Sequence, residues 1–307
     1  MAVSDAEAAF RIAPQLATAV IEQLTTAGRS RRAIREVGED QPIAASVEAP
    51  AAAAPVVEAA RAEQPDAPRG RVALPTPAFD DKVFFNEDVA CPICGTTFEY
   101  LRVRLGAVRP TGRDSDFRTR YRGTDPTLYT ITVCPHCWYA AYAEEFGDAS
   151  ESERRLLQEG AARRAHPDRS SLTGVRSLDD AAESFDLALE CYETRSGGHR
   201  RRAGLLHRRA WLERARGDDA REREYLGLAA DAYRSAYEAD KTITDTSATR
   251  AAYLIGDLYL RLGDLPRAGR WLDICLAGKH DAQSGILRMA RERMHECRML
   301  LEQRGAA

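Results

Sequence analysis

Cys91-Pro92-Ile93-Cys94-Gly95 and Cys134-Pro135-His136-Cys137-Trp138 decide how the rest of this chain is read. A Cys-x-x-Cys turn sets two thiolates on one side of a tight bend, and two such turns facing each other supply a tetrahedral site with Zn–S distances of about 2.3 Å. Proline after the first cysteine stiffens each turn. Gly95 suits the place after the second cysteine, where the backbone often needs a positive φ. Trp138 holds that place in the other copy, a departure that predicts a distorted or more hydrophobic second knuckle. One Cys-x-x-Cys is compatible with a redox pair, whereas two proline-containing copies point to a metal. The expected cofactor is therefore Zn2+, held by Cys91, Cys94, Cys134 and Cys137. His136 lies between two of these ligands and is read as a solvated bystander rather than a replacement for a cysteine.

Four thiolates leave no open coordination position, and a catalytic zinc needs one, so the expected role is structural. In so small a module, metal binding would supply much of the folding free energy, on the order of 10 kcal/mol or more. The 39 residues between the pairs exceed the roughly 15–20 of compact ribbons, so the insert must carry its own strands or an elaborate loop.

Outward from the cysteines, residues 80–148 are rich in aromatic and β-branched side chains, including Phe84, Phe85, Phe98, Tyr100 and the run Tyr129-Thr130-Ile131-Thr132-Val133. Short strands are expected there. Residues 149–305 change to Ala, Leu, Arg and Glu at helical spacing, broken by turn signals at Ser196-Gly197-Gly198 and Gly263-Asp264. Within this half a small-aromatic-small pattern recurs at Ala181/Phe185/Ala188, Ala229/Tyr233/Ala236 and Ala268/Leu272/Cys275. Gly256, Tyr259 and Gly263 precede the last unit as in tetratricopeptide repeats, where small residues let paired helices approach closely. The units are 48 and 39 residues apart, more than the roughly 34 of an ideal repeat. Lengthened helices or loops are expected, and an irregular helical bundle is the alternative.

Residues 1–36 read as an amphipathic helix, carrying Phe10, Ile12, Leu16, Val20, Ile21 and Leu24 with a basic tail. Docking on a partner and simple solvation are both open for it. Residues 37–79, dominated by Ala, Pro, Glu and Gly, read as a disordered linker with too little bulky apolar surface to offset ordering entropy. The fold class expected is thus α+β, mostly α: a small zinc-ribbon-like β module followed by a tetratricopeptide-like helical repeat domain.

Bulk composition removes several function classes. With 307 residues, 44% hydrophobic and 30% charged, and no stretch near the roughly 18 apolar residues of a membrane span, no membrane partner is expected. The first residues lack a basic and an apolar signal region, which makes the cytoplasm the default. A net charge of -3 gives no global drive toward nucleic acid. Seven cysteines are too few and too uneven for a disulfide scaffold; Cys191, Cys275 and Cys297 read as core thiols.

The insert contains Arg113-Asp114-Ser115-Asp116-Phe117. Asp114 and Asp116 have no histidine nearby in sequence, so turn capping and pairing with Arg102, Arg104, Arg118 and Arg120 are favoured over acid–base chemistry. Arg200, Arg201, Arg202, Arg208, Arg209, Arg214 and Arg216, interleaved with Glu213, Asp218, Asp219 and Glu222, read mainly as a solvated helix with i to i+4 ion pairs. A phosphate-binding face is the competing reading of the same run.

The order Cys91-Pro92-x-Cys94-Gly95, Arg113-Asp114-x-Asp116-Phe117, Pro126-x-x-Tyr129, Val133-Cys134-Pro135-x-Cys137-x-Tyr139-Ala140-Ala141 and Phe146 resembles the bacterial family catalogued as domain of unknown function 2225. Tyr253-Leu254-Ile255-Gly256, Leu262-Gly263, Ala268, Trp271 and Met289-Ala290-Arg291 are similar to that family's helical end. The resemblance covers about residues 82–300 and departs at Trp138, where the family usually has Gly. It implies the two-part architecture and carries no activity with it.

The function expected is a non-enzymatic scaffold or adaptor that binds a protein or peptide partner through its repeat helices. The alternative is a nucleic-acid-associated regulatory factor using the zinc module and the arginine-rich helices. No Gly-rich phosphate loop, nucleophile elbow or His-Glu-x-x-His helix supports catalysis.

Overall fold

The computed structural model describes residues 79–165, 172–195, 198–239, 245–278 and 284–305. The helix read over 1–36 and the linker read over 37–79, apart from Phe79, lie outside these residues.

Three antiparallel hairpins come first. β1 (Phe84–Ala90) pairs with β2 (Thr97–Val103) in unbroken register from Phe84 opposite Val103 to Ala90 opposite Thr97. β3 (Arg109–Arg113) pairs with β4 (Thr119–Arg122) through a bulge between Pro110 and Gly112. β5 (Ile131–Val133) pairs with β6 (Ala140–Tyr142). β1 alternates between more and less exposed positions, as a strand with one covered face must. β5 and β6 are buried at every residue because helix α3 packs against them. The long insert between the cysteine pairs therefore does carry its own strands: β2, the whole β3–β4 hairpin, and β5.

Eight helices follow among the described residues: α1 (Glu151–Glu159), α2 (Ala161–Arg164), α3 (Leu178–Glu193), α4 (Gly198–Arg216), α5 (Asp219–Ala239), α6 (Asp245–Leu262), α7 (Leu265–Ala277) and α8 (Ser284–Gly305). Their starts follow from sequence. Ser150 with Glu153 and Ser177 with Asp180 form reciprocal capping boxes at α1 and α3, each cap contributing about 1 kcal/mol. The helical hairpins α4–α5 and α6–α7 have the same joint. At Gly217 and Gly263 the chain turns left-handed; Asp218 N–H donates to Glu213 C=O and Asp264 N–H to Tyr259 C=O, closing the last turn of the preceding helix. The close approach expected at Gly256 is real: a Cβ there would meet Leu272 Cγ at 2.8 Å.

Of the repeat positions, Ala181, Phe185 and Ala188 are sealed from solvent, as are Ala268, Leu272 and Cys275. In the middle unit Ala229 is equally buried, while Tyr233 and Ala236 are half-covered. Cys191, Cys275 and Cys297 are buried free thiols, as expected.

The side chains form two cores. The first joins Phe84, Ile131, Val133 and Tyr139 of the hairpins to Phe185, Ala188, Cys191 and Tyr192 of α3 and to Leu205 and Leu212 of α4. The second lies among α4 to α8, centred on Tyr253, Ile255, Leu258, Leu272 and Cys275. The β hairpins and α3 thus share apolar contacts across residue 148.

The arginine-rich stretch is a correction. It is not a solvated helix face: Arg208, Arg209 and Glu213 on α4 are buried. Arg209 pairs with Glu213 one turn on, as i to i+4 spacing predicts, but it also reaches Asp186 of α3 at 3.0 Å. Helix α4 is charged because it runs between the two cores and its charges meet partners on both sides.

A candidate metal centre and the charge network beside it

Each Cys-x-x-Cys is the turn of a hairpin. Cys91 N–H donates to Thr96 C=O and Gly95 N–H to Cys91 C=O, both at 2.9 Å; Cys134 N–H donates to Tyr139 C=O at 2.9 Å and Trp138 N–H to Cys134 C=O at 3.0 Å. These two bonding patterns are the same. Gly95 has φ 74° and Trp138 φ 58°, so tryptophan adopts the left-handed conformation that glycine takes in the other copy. The distortion expected of the second knuckle does not occur. Burial of the indole compensates the steric cost of that conformation, on the order of 1–2 kcal/mol, and the hydrophobic half of the expectation holds.

The four sulfurs of Cys91, Cys94, Cys134 and Cys137 lie within 4.8 Å of one another, three of the residues buried and Cys94 half-covered. Contacts at 3.6 Å run from Cys91 to Cys137 and from Cys94 to Cys134, across the two turns. A tetrahedral ion with bonds of about 2.3 Å would set its sulfurs about 3.8 Å apart, so the group fits such an ion closely. All four donors are soft sulfurs, a set that favours zinc or an iron–sulfur centre over magnesium or calcium. His136 is exposed and outside the group.

Without a cation, four adjacent sulfurs cannot all ionise. Hydrogen bonds among Cys134, Cys137 and Cys91 favour one thiolate in the group, with Cys134 shifted down, and push the neighbouring thiols Cys91 and Cys137 up. A bound cation reverses this, since coordination deprotonates a thiol outright.

Asp114 and Asp116 are placed by the tip of the β3–β4 hairpin, and the pairing expected for them holds only in part. Asp114 meets Arg120 at 3.2 Å, and Asp116 Oδ1 accepts the Arg118 backbone N–H at 3.4 Å. Arg102 pairs with Glu87 instead, and Arg104 stacks over Phe85. The stronger partners are on α4. Arg214 reaches Asp116 at 2.7 Å, Asp114 at 3.0 Å and Glu222 at 2.6 Å. The Trp211 indole N–H donates to Asp116 Oδ2 at 3.0 Å, and His207 Nε2 lies 3.4 Å from the same oxygen. Burial pushes the Asp116 carboxyl up, but His207 and Arg214 outweigh it and leave it well below the usual carboxylate range. Burial pushes His207 down, Arg208 and Arg214 adding to that and Asp116 opposing it.

The network continues through Ser115, whose hydroxyl donates to Asp257 of α6 at 3.0 Å and accepts from Arg261 at 2.8 Å. Asp257 is fully buried and also meets Arg261 and Arg293, at 3.0 and 2.6 Å. The hairpin tip is thereby tied to α4, α6 and α8. Sequence reasoning missed His207, Trp211, Arg214 and Asp257 because a window around Asp116 does not contain them. It also missed Arg176, buried with no carboxylate at ion-pair distance among the described residues, which donates to the carbonyls of Leu128, Ile131 and Leu172 and anchors the segment before α3 to the third hairpin. Burial lowers its guanidinium to about 10.

A family model described as "Uncharacterized protein conserved in bacteria (DUF2225)" matches residues 84–297. A protein of Borreliella burgdorferi, described as "Uncharacterized protein", is 28% identical over 123 residues, covering 36% of this chain and 44% of its own length. The match thus spans less than half of that relative. No solved structure matches the chain. No helix among the described residues is long and apolar enough to cross a membrane.

Proposed function

The chain belongs to the DUF2225 family of bacterial proteins, and from that footing we propose that it is a non-enzymatic scaffold: Cys91, Cys94, Cys134 and Cys137 hold one structural Zn2+, and the helical hairpins present a surface to a protein or peptide partner in the cytoplasm. The observation that carries this reading is the sulfur group, four thiol donors within 4.8 Å and no further His, Cys, Asp or Glu with them among the described residues. Such a set favours a metal that holds two hairpins together over one that binds substrate. Helical hairpins stacked in series offer extended surfaces for a partner.

The nucleic-acid alternative loses support on α4. Arg201 is paired with Glu145 at 2.8 Å and Arg202 with Glu193 at 2.6 Å, while Arg208, Arg209 and Arg214 are turned into the protein. These cations are already answered within the chain.

Two measurements test the reading. Metal analysis of purified protein should give about one zinc per chain, lost in Cys94→Ser and Cys137→Ser; full retention in both variants overturns the metal half. Affinity capture with and without nuclease, followed by titration across salt, tests the other half. Partner binding should weaken only modestly with salt, whereas oligonucleotide binding that falls by orders of magnitude between roughly 50 and 200 mM salt, and is lost when Arg200, Arg201 and Arg202 become Glu, would overturn the adaptor.

A further inference from the structure

The junction between the β3–β4 tip and α6 contains more positive charge than its carboxylates answer. Arg214, Arg261, Arg293 and Arg120 each meet at least one of Asp114, Asp116 and Asp257. Among the described residues, no carboxylate lies at ion-pair distance from the side chains of Arg113, Arg118 or Arg250, although the charges of Asp125, Asp114 and Asp116 act on Arg118.

Two of these cations converge on one ring. The Arg113 guanidinium carbon, from β3, lies 5.1 Å from the Phe117 ring centroid, and that of Arg250, from the N-terminal half of α6, lies 6.0 Å from it. Arg250 Nε is closed off from solvent and has no hydrogen-bond partner, although a buried donor is nearly always satisfied. Burial pushes the half-covered Arg250 guanidinium below its ordinary range, and the charge of Arg113 adds to this. Arg214, a neighbour with carboxylate partners, is instead pushed up on balance.

Phe117 is held in place for the role. It has φ 68°, a conformation that persists in a bulky residue only when its surroundings impose it and that clusters at ligand sites. Its N–H donates to Asp114 C=O at 3.0 Å, its ring meets Tyr253 with centroids 5.4 Å apart, and the Tyr253 hydroxyl donates to Ser115 C=O at 2.8 Å. Arg113 is exposed while Phe117 and Arg250 are half-covered, so a ligand can arrive from solvent and finish against fixed groups.

We propose that Arg113 and Arg250, positioned by Phe117, form a binding site for a phosphoryl oxyanion. A dianion answers two guanidiniums from separate elements, whereas a single carboxylate leaves one of them uncompensated. Arg118, half-covered at the same tip, adds to the positive field. The site uses none of the cysteines.

The test is calorimetric titration of the full, metal-replete chain with inorganic phosphate and separately with phenyl phosphate, at constant ionic strength set by chloride. Saturable binding near one per chain is expected for at least one of them: phosphate alone identifies a free-ion site, and tighter binding of phenyl phosphate identifies a monoester site. Arg113→Gln and Arg250→Gln should each weaken it by about tenfold or more, while Arg155→Gln, an exposed position on α1, leaves it unchanged. Because Arg113 is exposed, its variant is expected to fold normally by circular dichroism and decides the matter if Arg250→Gln does not fold. Failure of both probes to bind at millimolar concentration, or equal binding by wild type and Arg113→Gln, would overturn the proposal.

Discussion

Trp138 and Gly95 occupy the same place in two separate turns, both left-handed, each N–H bonded back to the first cysteine of its own turn. Exchanging the side chain should destabilise the protein at both places, for different reasons. Gly95 has nothing within 4 Å of where a Cβ would stand, so Gly95→Ala costs only its backbone strain, about 1–2 kcal/mol. Trp138→Gly relieves the same strain but gives up a buried indole, a loss of about 3–5 kcal/mol by analogy with Trp→Ala. The net destabilisation, about 1–4 kcal/mol, is readable by denaturant melts, and a Trp138→Gly variant more stable than wild type would refute the compensation.

The link from Asp116 to Arg214 makes a second prediction. Asp116→Asn removes a fully buried charge that faces Arg214, Trp211 and His207, and breaking such a pair from one side typically costs about 3–5 kcal/mol. Adding Arg214→Met should cost less than the sum of the two single changes, because residues in one network do not add. Strict additivity in a urea double-mutant cycle would show that the 2.7 Å contact carries no coupling.

The pH dependence has a defined direction. Asp116 titrates near about 3.9 when unfolded and well below the usual range when folded, so its contribution is complete above about pH 4 and is lost as pH falls through the folded value. His207 titrates near about 6.5 unfolded and lower when folded. The unfolded chain therefore takes up the proton first, and stability falls as pH drops below about 6.5. His207→Gln should flatten the decline between about pH 7 and 5 relative to wild type, since other acid-sensitive groups are common to both. Parallel stability curves for the two proteins would remove His207 as the cause.

Local signals were legible and distant ones were not. Both cysteine turns, the strands of the insert and the small residue at Gly256 each declare themselves within a few positions, through geometry the backbone enforces locally. Asp116 did not, because its meaning depends on His207 and Trp211, 91 and 95 residues away. The arginines of α4 misled for the same reason: i to i+4 spacing made ion pairing within one helix look sufficient, whereas Asp114, Asp116 and Asp186 arrive from other elements. Trp138 was misread because propensity disfavours the left-handed turn for tryptophan, and the burial that outweighs it is a tertiary property.

Metal removal should reach further than the hairpins that carry the sulfurs. Cys91, Cys134 and Cys137 are members of the same core as Phe185, Ala188 and Cys191 of α3, and Ala140 N–H donates to Cys191 Sγ at 3.4 Å directly behind the second turn. If a cation holds the two turns together, stripping it frees β1–β2 from β5–β6, and α3 then loses the surface it packs on. The α6–α7 hairpin belongs mainly to the second core, whose centre at Tyr253, Leu258 and Leu272 includes no residue of the sulfur group. A chelator should therefore collapse hydrogen-exchange protection in β1, β2, β5, β6 and α3 together, while α6 and α7 keep most of theirs, as expected for cooperative units of unequal stability. Re-adding zinc should restore all five segments at once. Loss confined to the hairpins, with α3 still protected, would show that the helix is held by α4 alone; simultaneous loss in α6 and α7 would show that the two cores unfold as one.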